Sequence, residues 1–183
     1  MPQLVAFLRA INVGGHNVTM DALRRLFTGL GLDDVETFIA SGNVVFSTRA
    51  RDISALERKI EVQLERSLGY EVKTFLRTVP ELAAVAAYAP FAAAKIRSSV
   101  AFNVAFLANP LDAAATKTVM ALRTEIDDFH VHGREVYWLC AKGQSESGFS
   151  NAVFERALKT RATFRGMNTV ARIAARWFSG TVP

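Results

Sequence analysis

Two short stretches combine glycine with small polar residues, at points where backbone N–H groups can bind a ligand. The first, residues 9–15 (Arg-Ala-Ile-Asn-Val-Gly-Gly), follows an apolar run and leads into a helical pattern. The second, residues 41–43, separates two strand-like runs. Glycine lets a backbone approach an anion closely, and a turn before a helix presents unbonded donors. We expect these turns to bind a small anionic or polar ligand through Arg9, Asn12, Gly14, Gly15, Ser41, Gly42 and Asn43.

Turn geometry alone explains the same glycines. A tight strand-to-helix turn and a hairpin tip both favour Gly and Asn, because these residues tolerate positive φ. Residues 12–19 match neither common phosphate loop, since no Gly-Lys-Ser/Thr follows and the GxGxxG spacing is missing. The sequence also leaves open whether the two turns share one site, because that depends on how the strands are arranged.

All of the net positive charge of +5 lies in residues 151–183, which contain six Lys and Arg side chains and one Glu. Such asymmetry is typical of proteins with an anionic partner. Arg165 and Asn168 are further candidate ligand-binding residues, with Asn168 as the predicted N-cap of a closing helix. A solvated basic helix face explains the charge as well, so nucleic acid is a possible partner but not the favoured one.

The histidines and the cysteine offer little chemistry. His130 and His132 are two apart in a predicted strand, which places both on one side, but two side chains are too few for a typical metal site. His16 lies in the first glycine turn with no nucleophile or orienting carboxylate near it in sequence. Cys140 lies in an apolar run and is expected to be a buried, inert thiol. We therefore predict no metal and no cofactor, assign no catalytic residue, and leave open whether the chain is an enzyme.

The elements that must position these residues occur in the same order twice. An apolar strand, an amphipathic helix, a hairpin, a second helix and a strand fill residues 1–78, and the same order returns over 96–183. This β-α-β-β-α-β order predicts an α+β fold of two similar ferredoxin-like subdomains packed together. Residues 79–95 are expected to form a helical connector, and a C-terminal helix is predicted from Asn168 to Phe178.

Local signals support this order of elements. Ser54 with Glu57, and Thr78 with Glu81, have the spacing of capping boxes at helix starts. The tetrapeptide Val-Ala-Phe-Leu occurs at 5–8 and at 104–107, in the first strand of each predicted subdomain. Both of these strands are apolar on both faces, whereas the helices of such a subdomain cover only one. We expect the sheet of the other subdomain, or failing that a second copy of the chain, to cover the rest; monomer and homodimer both remain open.

The composition is that of an ordinary globular protein. Half of the 183 residues are hydrophobic and 21% are charged. No apolar run reaches the length of about 20 residues that a membrane helix needs, and the N-terminal residues lack the basic region of a signal peptide. We therefore expect a cytoplasmic protein without a membrane partner.

Several motifs together resemble the domain-of-unknown-function 1697 family. They are Arg9-x-Ile-Asn-Val-Gly-Gly15, Met20-x-x-Leu-Arg24, Gly31, Val35-x-Thr37, Ser41-Gly-Asn-Val-Val-Phe46 and Thr163-x-Arg165-x-x-Asn168-Thr-Val170. The resemblance covers nearly the whole chain and implies a pair of ferredoxin-like subdomains, with no activity or catalytic residue to transfer. The chain departs from the family pattern at Ala10, where glycine is usual, at His16, where lysine is common, and at Phe164 and Gly166-Met167 in the last motif.

Overall fold

The computed structural model describes residues 1–39 and 42–178 and divides the chain into two units, Met1–Leu82 and Ala83–Pro183. The elements of the first unit are β1 (Gln3–Leu8), α1 (Met20–Gly29), β2 (Asp33–Thr37), β3 (Asn43–Ser47), α2 (Ile53–Leu68) and β4 (Thr74–Thr78). A further helix, α3 (Val79–Ala87), begins in the first unit and ends in the second.

The first sheet has the strand order β2-β3-β1-β4, and β1 pairs antiparallel with both β3 and β4. This is the order of a ferredoxin-like unit, and it places the apolar β1 in the middle of the sheet. The pairing of β2 with β3 changes register between Asp33 and Glu36, and Asp34 there has a φ of 50°. The irregularity of a β-bulge therefore marks the start of edge strand β2.

The core of the first unit lies between the sheet and the helices α1 and α2. Alternate residues of β1 face this core, as the period of a strand requires. The helices contribute side chains at the spacing that the sequence predicts for one buried face. The fully buried members include Leu4, Ala6, Leu8, Leu23, Phe27, Phe46, Ile60, Leu64 and Leu76.

Three helix starts in the first unit have side-chain caps. Thr19 caps α1 by accepting a hydrogen bond from the backbone N–H of Ala22. Thr78 and Glu81 form the predicted capping box at the start of α3, each accepting from the backbone N–H of the other. The box predicted at Ser54 and Glu57 is wrong: the N-cap of α2 is Asp52, which accepts from the N–H of Ala55.

The second unit repeats the same topology. Its sheet has the order β6-β7-β5-β8, again antiparallel throughout, which confirms the predicted fold of two similar subdomains. The elements are α4 (Ala93–Arg97), β5 (Ala101–Phe106), α5 (Ala113–Met120), β6 (Asp127–His132), β7 (Glu135–Cys140), a 3-10 turn (Gln144–Glu146), α6 (Asn151–Leu158), β8 (Thr163–Gly166) and α7 (Met167–Trp177).

The two copies of Val-Ala-Phe-Leu occupy equivalent positions in the two sheets. Val5 faces Arg77 on the last strand of its unit, and Val104 faces Arg165 on the last strand of the other. A helix begins directly after that last strand in each unit, α3 in the first and α7 in the second. The repeat therefore has seven elements in the order β-α-β-β-α-β-α, and α7 is the counterpart of α3.

Both faces of the central strands are buried. On the side away from α1 and α2, Val5 and Phe7 have no exposed surface, and the same is true of Val104 and Phe106 in the second unit. This agrees with the two-sided apolar pattern in the sequence. Among the residues that the structure describes, no helix has the length and apolar character needed to span a bilayer.

Carboxylates bind the outer edge of β4. Each unpaired N–H on the outer side of an edge strand would otherwise be open to another strand. Glu61 accepts from the N–H of Thr74 at 3.0 Å, and Glu57 accepts from that of Leu76 at 2.9 Å. In the second unit Glu155 accepts from the N–H of Ala162, just before β8. Glu57 therefore serves the neighbouring strand, which explains why it does not take part in a cap of its own helix.

Candidate functional site

The first glycine turn begins where β1 leaves the sheet. The backbone N–H of Leu8 donates to the carbonyl of Gly42 at 2.9 Å, and that of Arg9 donates to the carbonyl of Lys73 at 2.8 Å. The next residue, Ala10, has a φ of 57°, in the left-handed region that favours glycine. The family's usual glycine at this position is therefore explained by the backbone, and this chain holds an alanine there under strain.

Gly42 lies directly against the start of that turn. A Cβ atom on Gly42 would be 2.6 Å from Cγ2 of Ile11 and 3.2 Å from Cβ of Leu8. Its φ is also positive, at 72°. Any side chain here would collide with the end of β1, so glycine is required for the close approach. The two glycine-containing turns thus adjoin at one end of the first sheet, which the sequence had left open.

Side chains hold the first turn in place from both sides. Oδ1 of Asn12 accepts from the backbone N–H of Val18 at 2.8 Å and so closes a loop of seven residues. The hydroxyl of Tyr70 donates to the carbonyl of Ile11 at 3.0 Å. The ring of His16 stacks on that of Tyr70 with the centroids 3.8 Å apart. These contacts give His16 a packing role, and burial raises the pKa of Tyr70. Sequence reasoning missed Tyr70, which lies 59 residues from Ile11.

The tip of this turn is open. Gly14 and Gly15 have φ values of 63° and 87°, both are exposed, and no atom lies within 4 Å of the position of a Cβ on either. Within the described residues, the backbone N–H groups of Gly14, Gly15 and Asn17 have no hydrogen-bond partner, whereas that of His16 donates to the carbonyl of Val13. The turn is therefore held at its base while its tip keeps unbonded backbone donors.

The second turn is built around Asn43 and a strained isoleucine. Asn43 is buried, and its Nδ2 donates to the carbonyl of Phe38 at 3.0 Å while its own carbonyl accepts from the N–H of Phe38. These bonds give Asn43 a role in closing the hairpin. Ile39 has a φ of 48°, which is a real outlier for a β-branched residue. Ser41, the other polar candidate, lies outside the described residues.

Positive charge lies at the base of the first turn. Arg9 is partly buried, and its neighbour across the sheet, Lys73, forms a salt bridge of 2.9 Å with Glu61. Both cations lie at the end of the sheet where the turns adjoin, as the backbone bond between Arg9 and Lys73 requires. Arg9 directly precedes Ala10 in the chain, so it is the residue of this pair that belongs to the turn.

Arg165 and Asn168, the remaining candidates, belong to the second unit. Arg165 is buried on β8, and its Nη1 donates to Oγ1 of Thr163 and to the carbonyl of Phe164, each at 2.8 Å. Burial lowers the pKa of Arg165 to about 10. Asn168 is exposed within the first turn of α7, whose N-cap is Gly166. The predicted cap at Asn168 is therefore wrong, since the helix starts two residues earlier than its cap signal suggests.

His130 and His132 contact Tyr88, the residue that follows α3. The hydroxyl of Tyr88 is 2.8 Å from Nε2 of His130, and the ring of Tyr88 stacks on that of His132 with the centroids 4.0 Å apart. Burial lowers the pKa of His130, and neighbouring His132 and Arg123 add to this, while Asp128 opposes it. The part of the chain that the structure describes contains no group of three side chains suited to a metal ion.

A buried carboxylate in the second unit was missed by sequence reasoning. Asp127 accepts hydrogen bonds from Nε1 of Trp138, from Oγ1 of Thr124 and from Oγ of Ser147. The bonds from Ser147 anchor the polar loop after β7 to the sheet. The nearby thiol of Cys140 is buried, and desolvation first and then Asp127 raise its pKa. A raised pKa keeps the thiol protonated and unreactive.

The fold has a counterpart among solved structures. The chain is similar to a conserved bacterial protein, SP0830, from Streptococcus pneumoniae, with a TM-score of 0.76 and 24% sequence identity. The similarity covers 96% of this chain and 98% of that one, so the arrangement of elements is shared over nearly the full length. At this identity the likeness concerns the fold alone.

Comparison with protein families gives a match in sequence. None of the curated proteins compared with the chain matches it. A family model described as a protein of unknown function (DUF1697) matches residues 1–137, which include both glycine turns and the whole first unit. The chain therefore belongs to the DUF1697 family.

Proposed function

We propose that the first unit binds a small anionic ligand at the turn of residues 9–17, beside Gly42. One observation carries the proposal: the turn is fixed at its base by Asn12 and Tyr70, while the N–H groups of Gly14 and Gly15 have no partner within the described residues. Preorganised backbone donors of this kind bind anions without a large ordering cost. Whether a reaction follows binding is left open.

Backbone strain at both turns supports the same location. Ala10 and Ile39 are non-glycine residues with positive φ, one in each of the adjoining turns. Each such residue costs on the order of 1–3 kcal/mol, and strain of this kind occurs often at ligand sites. Arg9 adds a positive side chain next to Ala10, which favours a negatively charged ligand over a neutral one.

The structure favours a small ligand over nucleic acid. Ferredoxin-like proteins that bind RNA use aromatic side chains on the open face of the sheet. In the first unit that face is buried, as Phe7 and Phe75 show with no exposed surface. The basic C-terminal segment offers less charge than its composition suggests, because Arg165 is buried and Arg161 contacts Glu155 at 3.5 Å.

A calorimetric titration tests the proposal. Orthophosphate, acetate, citrate and nucleotides are titrated into the full chain at low salt, and the best binder is taken forward. We expect Arg9→Gln to weaken binding roughly tenfold, as loss of a charge-assisted hydrogen bond would. Arg25→Gln, an exposed arginine on α1, removes the same charge away from the turn and should change the affinity less than about twofold. Equal effects of the two variants would rule out this site.

An interaction surface without chemistry is the second candidate. Val13 and Ile39, one in each turn, have 56% and 44% of their surface exposed, which is high for large apolar side chains. A partner protein would cover such residues. The double variant Val13→Ser/Ile39→Ser tests this alternative by light scattering and pull-down. Loss of a partner with an unchanged affinity for anions would favour it.

A further inference from the structure

A second concave site lies in the first unit, at the opposite end of the sheet from the glycine turns. Its walls are the turn after α1, the start of β2, the loop that joins β3 to α2, and the first two turns of α2. The cavity has a volume of about 630 Å³. This is within the usual range of about 300–1,000 Å³ for small-molecule sites. It is far larger than a water site and could hold a ligand of several functional groups.

Three cations line this cavity. Arg49 and Arg51 come from the loop after β3, and Lys59 comes from the second turn of α2. All three are exposed, and within the described residues none forms a salt bridge. Unpaired charges of one sign around a concave surface reinforce each other and raise the local concentration of counter-ions.

The contacts of these cations hold them at the cavity without neutralising them. Nζ of Lys59 donates to the carbonyl of Leu30 at 3.1 Å, which ties the lysine to the opposite wall. Nε of Arg49 lies 3.4 Å from the sulfur of Met1, a weak acceptor. The guanidinium group of Arg51 makes no hydrogen bond or ion pair within the described residues.

The acidic residues at the cavity leave the balance positive. Asp52 is engaged as the N-cap of α2, where Oδ1 accepts from the N–H of Ala55. Asp33 is exposed on edge strand β2, at the register shift. Two carboxylates therefore stand against three cations, and one of the two already has a backbone partner.

We propose that this cavity binds a phosphorylated small molecule. Guanidinium and ammonium groups both bind phosphate oxygens, and an arginine can donate two hydrogen bonds to them through its planar fork. The volume favours a ligand larger than inorganic phosphate, such as a diphosphate or a sugar phosphate. This site shares no residue with the turn of residues 9–17, so it is independent of the function proposed above.

The experiment titrates pyrophosphate and orthophosphate into the full chain at low salt, with calorimetry for affinity and amide chemical shifts for location. We expect pyrophosphate to bind more tightly than orthophosphate and to shift the amides of Arg51, Ser54 and Lys59. The double variant Arg49→Gln/Arg51→Gln should raise the Kd for pyrophosphate at least about tenfold, as loss of two charge-assisted contacts requires. Raising the salt should weaken the binding, since exposed charges are screened.

Two controls distinguish this site from other anion binding. Arg58→Gln removes an exposed charge from the residue next to Lys59, outside the cavity lining, and should change the Kd less than about twofold. Arg9→Gln should leave it unchanged. The proposal is overturned if Arg58→Gln weakens binding as much as the double variant, or if pyrophosphate does not bind. It is also overturned if Arg9→Gln alone abolishes binding, in which case the anion belongs to the glycine turn. Thermal melts confirm that each variant is folded.

Discussion

Replacing Gly42 by alanine should destabilise the protein strongly, because the new methyl group has no room. A left-handed backbone costs an L-residue about 1–2 kcal/mol. The methyl group would also approach Ile11 to 2.6 Å, and Ile11 is itself buried, so it cannot swing away. Overpacking of this kind costs about 1–3 kcal/mol. Together the loss is about 2–5 kcal/mol, or a fall in Tm of roughly 5–15 °C for a chain of this size.

Gly69→Ala is the matched control. Gly69 has a φ of 81°, close to that of Gly42, but nothing lies within 4 Å of its Cβ position. Both variants therefore carry the backbone penalty, and only Gly42→Ala carries the steric penalty. We expect Gly69→Ala to cost about 1–2 kcal/mol. Urea denaturation followed by far-UV circular dichroism measures both, and hydrogen exchange at the amide of Leu8, which donates to the carbonyl of Gly42, reports the local effect.

A double-variant cycle tests the cause. Ile11→Ala removes the atom with which the new methyl group would collide, so the cost of Gly42→Ala should be smaller in that background by about 1–3 kcal/mol. If Gly42→Ala and Gly69→Ala destabilise the protein equally, or if Ile11→Ala brings no relief, then the close packing of the two turns is refuted.

Three further outcomes follow from single contacts. Ala10→Gly should raise the free energy of unfolding by about 0.5–1 kcal/mol in urea melts, because relief of the strained φ exceeds the added freedom of the unfolded chain. Glu57→Gln should cost about 1–2 kcal/mol and speed hydrogen exchange at the amide of Leu76, whereas Glu65→Gln on the same helix should not affect that amide. Stability should fall on acidification below about pH 6.5, because the pKa of His130 is lower in the folded chain than in the unfolded chain, which therefore takes up the proton first. His130→Gln should flatten this part of the pH profile of Tm.

The order of elements was predictable because each element carries its own local signal. Apolar runs, helical spacing and turn residues predict all eight strands found in the described residues. What the sequence did not reveal was that α7 is the counterpart of α3. In α3 the cap residues Thr78 and Glu81 mark the start, whereas the N-cap of α7 is Gly166, which has no side chain that could accept a hydrogen bond.

The positions of the two glycine turns were predictable from the sequence, but their contacts were not. Both glycine turns are visible in the sequence, yet their contact depends on the pairing of β1 with β3, which brings residues 8 and 42 together. The roles of Asn12 and Asn43 also depend on tertiary structure. Each uses its amide to close its own turn, so the polar groups that remain for a ligand are backbone donors rather than these side chains.

The φ preferences of single residues fail to predict the backbone of the two turns. Alanine at position 10 and isoleucine at position 39 hold positive φ values that neither residue prefers. A fold tolerates such costs only where the surrounding contacts impose them. The glycine that is usual at position 10 in the family signals the strain at Ala10, whereas Ile39 reads as an ordinary member of an apolar segment. The strain at Ile39 is therefore information that only the structure supplies, and both strained residues lie at the same end of the sheet as Gly42.

The two units share more than an order of elements. Arg77 and Arg165 occupy the same register against β1 and β5, and both are buried. In each, Nη1 donates at 2.8 Å to the carbonyl of the preceding residue. Burying a guanidinium group is costly, so the same buried arginine in the same geometry is a specific feature that the two units share.

A duplication explains this coincidence together with the shared tetrapeptide. Residues 5–8 and 104–107 align in register as well as in sequence, although the rest of the two units has diverged. The turn after each of these strands differs: the first unit has the glycine turn and the second has Asn109-Pro110 before α5. If the copies began alike, the glycine turn distinguishes the first unit from its own duplicate. Its strained backbone and open donors are then not requirements of the shared fold, which supports the choice of this turn for the proposed anion site.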